Sequence, residues 1–579
     1  MYRPYRSLDK LLASPATLHL ATHLLILFAA LLFRSTCASA DAPVSAVHAM
    51  VVTEQHLATE VGLHVLEKGG NAVDAAIAIG YALAVVDPCC GNLGGGGFML
   101  IHKANGENVF LNFREKAPLA ATATLFQDRN GKVIPKLSTA SYLAVAVPGT
   151  VAGLETARKK YGSLPRAALI DPAIHLARDG FVLTQGDVDI LSAHFKAFAS
   201  QPNVAAIFLN HGHNYHAGDR LIQPQLARTL ETIKKYGKDG FYQGRIAATL
   251  VTAAQQHGGI LTETDLENYT VETQQPIACD YRGYHILSAP PPSSGGVVIC
   301  EILNIISGYP IAQLGSQSAQ GIHDQVEAMR FAFMDRNSVL GDPDFVHNPI
   351  RDLLSPRHAS QIRAQISAGQ ATPSTSHTPS DPEGIHTTHY SIVDRYGNAV
   401  AVTYTINSLF GNQRIAGDTG FFLNDEMDDF SAKSGSANSF GLVQNSANAI
   451  APGKRPLSSM SPTIVLKAHK VFMVTGSPGG PRIITTVLAT LLNVIDYHMD
   501  IQQAVNAPRI HHQWLPDTLY AEPHALDPDT HSRLEKMGYN ISDQNITWGA
   551  AEAILINLRT GILYGANDRR RPAGLAAGY

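Results

Sequence analysis

Cysteine is scarce in this chain: five in 579 residues, with Cys37 inside an N-terminal apolar stretch and Cys89, Cys90, Cys279 and Cys300 beyond it. A disulfide-held scaffold would carry more, and neighbours such as Cys89 and Cys90 rarely pair with each other. No Cys-x-x-Cys occurs, which argues against a structural zinc site. Basic runs are missing too, apart from Arg569-Arg570-Arg571, and the formal net charge is -4. Nothing therefore points to nucleic acid or to an anionic membrane surface. No lysine follows the run Gly94 to Gly97 and no Gly-x-Gly-x-x-Gly opens a helix, so the common phosphate cradles are absent. There is no internal repeat.

What is present begins with an export signal over residues 1–40. Arg3, Arg6 and Lys10 form a basic start, Leu24 to Phe33 is apolar, and Ala38-Ser39-Ala40 is a small-residue cleavage pattern. Ten clean apolar residues are too few to cross a bilayer. We expect cleavage near Ala40 and a periplasmic or secreted protein, with retention as an anchor the alternative. The remainder suits one large core or two intimately packed halves, the whole chain being 45% hydrophobic and 16% charged.

Helix and strand signals alternate from Ala49 onward. Glu60 to Lys68 is amphipathic, and Ala72 to Val86 is apolar nearly all round, hence a buried helix. Phe98 to His102 and Val109 to Phe113 read as strands. Helices are expected from Pro148, Pro172, Gln223 and Val297, with Ser293 and Ser294 capping the last. A further helix around Asp324 to Asp335 carries Glu327 and Arg330, paired with each other or with the loop 341–344. Gly420 to Leu423, Thr463 to Lys467 and Val471 to Thr475 read as strands.

The centre of the chain is a hairpin. Two β-rich runs flank Asp394-Arg395-Tyr396-Gly397-Asn398, a three-residue loop ending on the glycine that such loops place in the left-handed region. If Asp394 faces Asn398, Thr405 falls opposite Thr387, and Asn407 lies on the same face as Thr405. Upstream, residues 367–386 are a Pro/Ser/Thr-rich tract without hydrophobic periodicity, expected to be exposed and mobile. Such a tether ending on a strand suits cleavage of the His386-Thr387 bond. Thr387 would then carry its own base, because a free α-amine titrates at about 7.7 to 8.0 and lies beside its own Oγ. A plain linker followed by an ordinary strand is the alternative.

Three other stretches can carry chemistry. Arg114, where a strand ends, can grip a carboxylate, or else form a surface ion pair with Glu115. Asn424-Asp425-Glu426-Met427-Asp428-Asp429 suits a cation, either metal or ammonium, or is a solvated loop. Gly479-Gly480 precedes a helix, where backbone N–H groups are natural oxyanion donors, or simply make a tight turn.

These landmarks, in order, are NLGGGGFML, FREKAP, PPPSSGG, TTHYSIVD, AVTYTINSLFG, NDEMDDFSA, KRPLSSMSPTIV and VTGSPGGPRIITT. Together they resemble the γ-glutamyltransferases (γ-glutamyltranspeptidases), N-terminal nucleophile hydrolases, over almost all of residues 49–579. The resemblance implies an α+β fold, a four-layer αββα sandwich. It also implies a precursor cut into a large subunit, 41–386, and a small catalytic subunit, 387–579. Thr387 would be the nucleophile, oriented by Thr405, with Gly479 and Gly480 as oxyanion donors. Arg114, Ser458 and Ser459 would hold the substrate α-carboxylate, and Asn407, Glu426 and Asp429 its α-ammonium. Donors would be glutathione and other γ-glutamyl compounds, and acceptors water, amino acids or dipeptides. No cofactor and no metal are implied. Family members often place an aromatic hydroxyl over the glutamyl pocket, where this chain offers Phe440. A glutaryl acylase on the same scaffold and an unprocessed, non-catalytic exported paralogue are the rival readings.

Overall fold

The computed structural model describes residues 42–374, 387–542 and 545–579. The expected export signal, and His386 with the end of the tract before it, lie outside the described residues. Among those described, no helix is long and apolar enough to cross a membrane.

Two seven-stranded antiparallel sheets lie face to face. One runs Leu575–Gly578, Met50–Thr53, Thr388–Val393, Ala399–Thr405, Gly96–His102, Asn108–Phe113, Glu272–Gln274. The other runs Val44–Ala46, Leu563–Ala566, Ala553–Ile556, Lys470–Thr475, Thr463–Lys467, Tyr284–Ser288, Ile277–Tyr281. Strand alternation sorts the side chains between layers. Ala399 and Ala401 meet Met473 and Val474 between the sheets. Val400, Val402 and Tyr404 turn outward onto helices that include Ala72–Val86 and Arg166–Asp179. Behind the second sheet pack Gly295–Ile306, Ala319–Val339 and Arg482–Ile495. The result is the expected αββα order, with all fifteen residues of Ala72–Val86 buried.

The hairpin is tied to that helix by hydrogen bonds as well as by packing. Asp394 Oδ1 accepts the Tyr396 and Asn398 N–H groups at 2.9 Å and shapes the turn, while its Oδ2 accepts the Ala72 N–H at 2.9 Å. Tyr390 and Tyr404 each donate a hydroxyl at 3.0 Å to the Ala76 and Gly80 carbonyls. A Cβ on Gly80 would lie 3.0 Å from the Tyr390 hydroxyl, so the small residues of this helix set how closely it approaches the sheet.

Four expectations are corrected. Cys89 and Cys90 are bonded to each other, and Cys279 pairs with Cys300, joining the Ile277–Tyr281 strand to the Gly295–Ile306 helix. The helix expected from Pro172 begins at Arg166, Pro172 being tolerated within it. Gly420 to Leu423 forms no ladder, only an isolated bridge from Phe422 to Ile415 beside Gly420 at φ +81°. The first part of the 367–386 tract is anchored: Ala371 N–H bonds the Met537 carbonyl at 2.7 Å, Thr372 N–H bonds Glu327 at 3.2 Å, and Ser374 N–H bonds Asp517 at 2.7 Å.

Candidate active site

The register derived from the turn is the one observed. Thr388 pairs with Tyr404 and Val393 with Ala399, so Thr387 enters opposite Thr405. Thr387 Oγ1 donates to Thr405 Oγ1 at 3.1 Å, and the same oxygen accepts the Asn407 N–H at 2.8 Å. Thr387 has φ +86°, a conformation a β-branched residue adopts only under strain of about 1–3 kcal/mol. Its neighbours are fixed on the helix side. His389 N–H bonds Glu54 Oε1 at 2.9 Å, and Glu54 Oε2 accepts from Arg571 at 2.9 Å.

His389, the nearest imidazole in sequence, is not a base for Thr387. Its ring lies between the sheets, bonded to Thr403 Oγ1 at 2.8 Å and Ser391 Oγ at 3.1 Å, and burial drives its pKa down to about 3. Among the described residues, Thr387 Oγ1 has no imidazole or carboxylate partner.

Thr387 opens into a cleft. Its walls include Thr405, Asn407, Arg114, Glu426, Asp429, Ser458, Ser459 and Gly480, with Phe440 and Met460. Nine of the ten residues singled out in the sequence thus meet around one space, the tenth, Gly479, being the neighbour of Gly480.

Arg114 is no surface residue. It is fully buried at the end of Asn108–Phe113, with its Nη1 paired to Glu426, its Nη2 to Asp429, and Glu115 3.5 Å away. Its Nε donates to the Pro456 carbonyl at 3.1 Å. Burial alone would lower its pKa, but Glu426, Asp429 and Glu115 outweigh that and raise it. Burial raises Glu426 well above the usual carboxylate range against the pull of Arg114, and raises Glu115 to about 7. Glu426 keeps Oε2 without a hydrogen-bond partner. The other two acids of the cluster are structural. Asp425 accepts Ser408 N–H at 2.9 Å, and Asp428 accepts Ser439 N–H at 3.0 Å, holding the loop that carries Phe440.

The Gly479-Gly480 turn is possible only for glycine. Gly479 has φ +127° and Gly480 φ +54°, and a Cβ on Gly480 would stand 2.6 Å from the Phe440 ring. Phe440 therefore closes over this turn.

One residue escaped the sequence reading and another, Ser294, has a role other than the helix cap expected of it. Ser294 does not cap its helix: its hydroxyl donates to the Ser458 carbonyl at 2.7 Å, fastening the PPPSSGG turn to the serine pair. Arg336 reaches the same place from the Ala319–Val339 helix, donating to Ser294 Oγ at 2.9 Å and Ser459 Oγ at 3.0 Å. That helix is buried along most of its length, so no polar face marked Arg336 out. Glu327 and Arg330 do pair, at 3.2 Å, and Arg330 also meets Asp517.

The chain is similar to known proteins over most of its length. The chain is 55% identical over 553 residues to a glutathione hydrolase proenzyme of Pseudomonas sp. (strain A14), covering 94% of this chain and 96% of that one. Its fold superposes on a cephalosporin acylase from Bacillus halodurans with a TM-score of 0.82 at 28% identity, covering 93% and 97% of the two chains. It also superposes on the Helicobacter pylori gamma-glutamyltranspeptidase with a TM-score of 0.54 at 46% identity, covering 56% of this chain and 93% of that one. The profile of the gamma-glutamyltranspeptidase family matches residues 58–578. With the hairpin, the cleft and the glycine turn in place, the chain belongs to the gamma-glutamyltranspeptidase family.

Proposed function

We propose that this protein is a γ-glutamyltransferase and glutathione hydrolase whose nucleophile is Thr387, exposed as a chain end by cleavage of the His386-Thr387 bond. The observation that carries this is the Thr387–Thr405 hydroxyl pair, 3.1 Å apart, at the mouth of a cleft holding the buried Arg114 and Glu426 and the partly buried Asp429. In maturation, Thr387 Oγ attacks the His386 carbonyl carbon and the peptide C–N bond breaks, leaving an ester and a free amine. Water then opens the ester, returning the Thr387 hydroxyl and a His386 carboxylate. The products are a large subunit, 41–386, and a small one, 387–579, of an exported protein.

In turnover the Thr387 amine takes the proton from its own Oγ, which attacks the γ-carbonyl of the donor. The oxyanion forms against the Gly479 and Gly480 N–H groups. Collapse expels the donor's amine, which takes that proton, and the acyl ester passes to water or to the amino group of an amino acid or dipeptide. The donor's two charges are matched in kind. Its α-carboxylate faces Arg114, Ser458 and Ser459, and its α-ammonium faces Asn407, Glu426 and Asp429. A γ-linked glutamate satisfies both at once, whereas a buried charge without its partner is costly.

Denaturing electrophoresis with N-terminal sequencing tests the proposal: a fragment beginning Thr-Thr-His-Tyr-Ser is expected. Thr387→Ala should remain one polypeptide and release no p-nitroaniline from γ-glutamyl p-nitroanilide. Normal cleavage in that variant would contradict the assignment. The structural likeness to a cephalosporin acylase makes a glutaryl amidase the second reading. Asp429→Ala separates them, since it should weaken γ-glutamyl donors and spare glutaryl amides; equal loss on both removes the ammonium role.

A further inference from the structure

Arg336 is a buried cation without a salt-bridge partner among the described residues, the charge of Asp429 acting on it only from beyond 4.0 Å. It is 1% exposed, and its four recorded partners are neutral: Asn337 Oδ1 at 2.7 Å, Ser294 Oγ at 2.9 Å, Ser459 Oγ at 3.0 Å and Gln444 Oε1 at 3.3 Å. The buried arginines Arg114, Arg330, Arg455, Arg509 and Arg571 each meet a carboxylate within 4.0 Å, whereas Arg336 meets none among the described residues. An ion removed from water without a counter-charge costs several kcal/mol. Burial lowers the Arg336 pKa only to about 10, so the group stays charged at neutral pH.

The hydrogen bonds around it leave donors aimed at the cleft. Ser459 Oγ accepts from Arg336, and Ser458 Oγ accepts the Met460 N–H at 3.1 Å. In each serine a lone pair is occupied and, among the described residues, the hydroxyl proton has no protein acceptor, while both side chains line the cleft. Arg114, by contrast, spends Nη1 and Nη2 on Glu426 and Asp429 and Nε on the Pro456 carbonyl.

We propose that Arg336 is a second cation behind the α-carboxylate subsite, a positioning residue that polarises Ser459 and directs its hydroxyl onto the anion that Arg114 also faces. This rests on the γ-glutamyl reading and adds to it the residue that sets preference for an α-carboxylate. Arg336 does not touch the substrate. It holds Ser459 from behind, fixes Ser458 through Ser294, and adds a second positive charge to that of Arg114.

The test compares two donors on purified, cleaved protein: γ-glutamyl p-nitroanilide and 4-aminobutyryl p-nitroanilide, which differ only in the α-carboxylate. Loss of a charge-assisted contact is worth roughly tenfold to a hundredfold. Arg336→Gln should raise KM for the γ-glutamyl donor by about that factor, with kcat little changed, and leave kcat/KM for the 4-aminobutyryl donor as in the wild type. Arg336→Lys should restore most of the difference. Ser459→Ala should show the same split, and the double variant Arg336→Gln/Ser459→Ala should lose little more than either single one. Equal loss on both donors, or an unchanged KM for the γ-glutamyl donor, overturns the proposal. Should Arg336→Gln fail to mature, Ser459→Ala and Arg336→Lys carry the same comparison. A wild type that does not favour the γ-glutamyl donor would instead refute the underlying functional reading.

Discussion

Thr405→Val removes one oxygen and almost nothing else. In the structure that oxygen has two donors, the Thr387 hydroxyl at 3.1 Å and the Asn407 N–H at 2.8 Å. Asn407 sits at φ +73°, so its backbone is held partly by this bond. Leaving a buried N–H unpaired costs about 1–3 kcal/mol, which should appear as a modest fall in Tm. The larger effect is on the nucleophile. Without its partner the Thr387 hydroxyl is free to swing, and a displacement of about 1 Å at a reacting atom is worth about a hundredfold in rate, or roughly 2.7 kcal/mol. In the proposed mechanism both maturation and turnover use that hydroxyl, so both should slow together. The assay follows appearance of the small fragment on denaturing gels, then kcat of the cleaved protein with γ-glutamyl p-nitroanilide. Thr405→Ser, which keeps the oxygen, should stay near the wild type. Wild-type cleavage and kcat in Thr405→Val would refute the orienting role.

Cys279 and Cys300 close a loop with a sequence separation of 21, so replacing both by serine should cost about 3 kcal/mol and lower Tm by several degrees under non-reducing conditions; an unchanged Tm would show that the bridge contributes nothing. His358 lies 3.3 Å from Glu301 and 2.8 Å from Asp335, and those hydrogen bonds raise its pKa to about 9 against burial. A histidine raised above its unfolded value of about 6.5 stabilises the fold fully below that pH and loses the contribution as pH rises through about 9. Burial of Glu301, raised to about 8, acts in the same direction, because the folded state keeps a proton the unfolded chain has released. Tm should therefore fall as pH rises from about 4.5 to about 9, most steeply between about 6.5 and 8 where both groups act, and Glu301→Gln should flatten that fall; an identical slope in the variant would remove the pair from the account.

What could be read in the sequence was what depends on near neighbours. The hairpin register followed from a three-residue turn and the two-residue period of a strand, and the buried helix 72–86 from an apolar run between Asn71 and Asp87. Convergence was a different matter. Arg114, Asn407, Glu426, Ser458 and Gly480 come from five separate segments, and no local pattern says that they share a cleft; the family resemblance supplied their expected roles, and the fold supplied their meeting. Arg336 and the role of Ser294 stayed hidden because their partners lie more than a hundred residues away, at Ser459 and Ser458. The Gly420 to Leu423 stretch misled for the converse reason. Its apolar residues are buried by neighbouring helices rather than by a ladder, and Gly420 itself packs 2.3 Å from the Leu226 backbone, counting from where its Cβ would be.

The ladders have one more consequence, for what a cut at residue 386 would leave behind. Met50–Thr53 lies between Thr388–Val393 and Leu575–Gly578, and Val44–Ala46 is sewn to Leu563–Ala566. Each sheet is woven from both sides of the nick, so the two pieces are interleaved rather than docked. They can part only by unravelling both sheets, and dilution should not diminish activity. For the same reason, assembly has to precede scission.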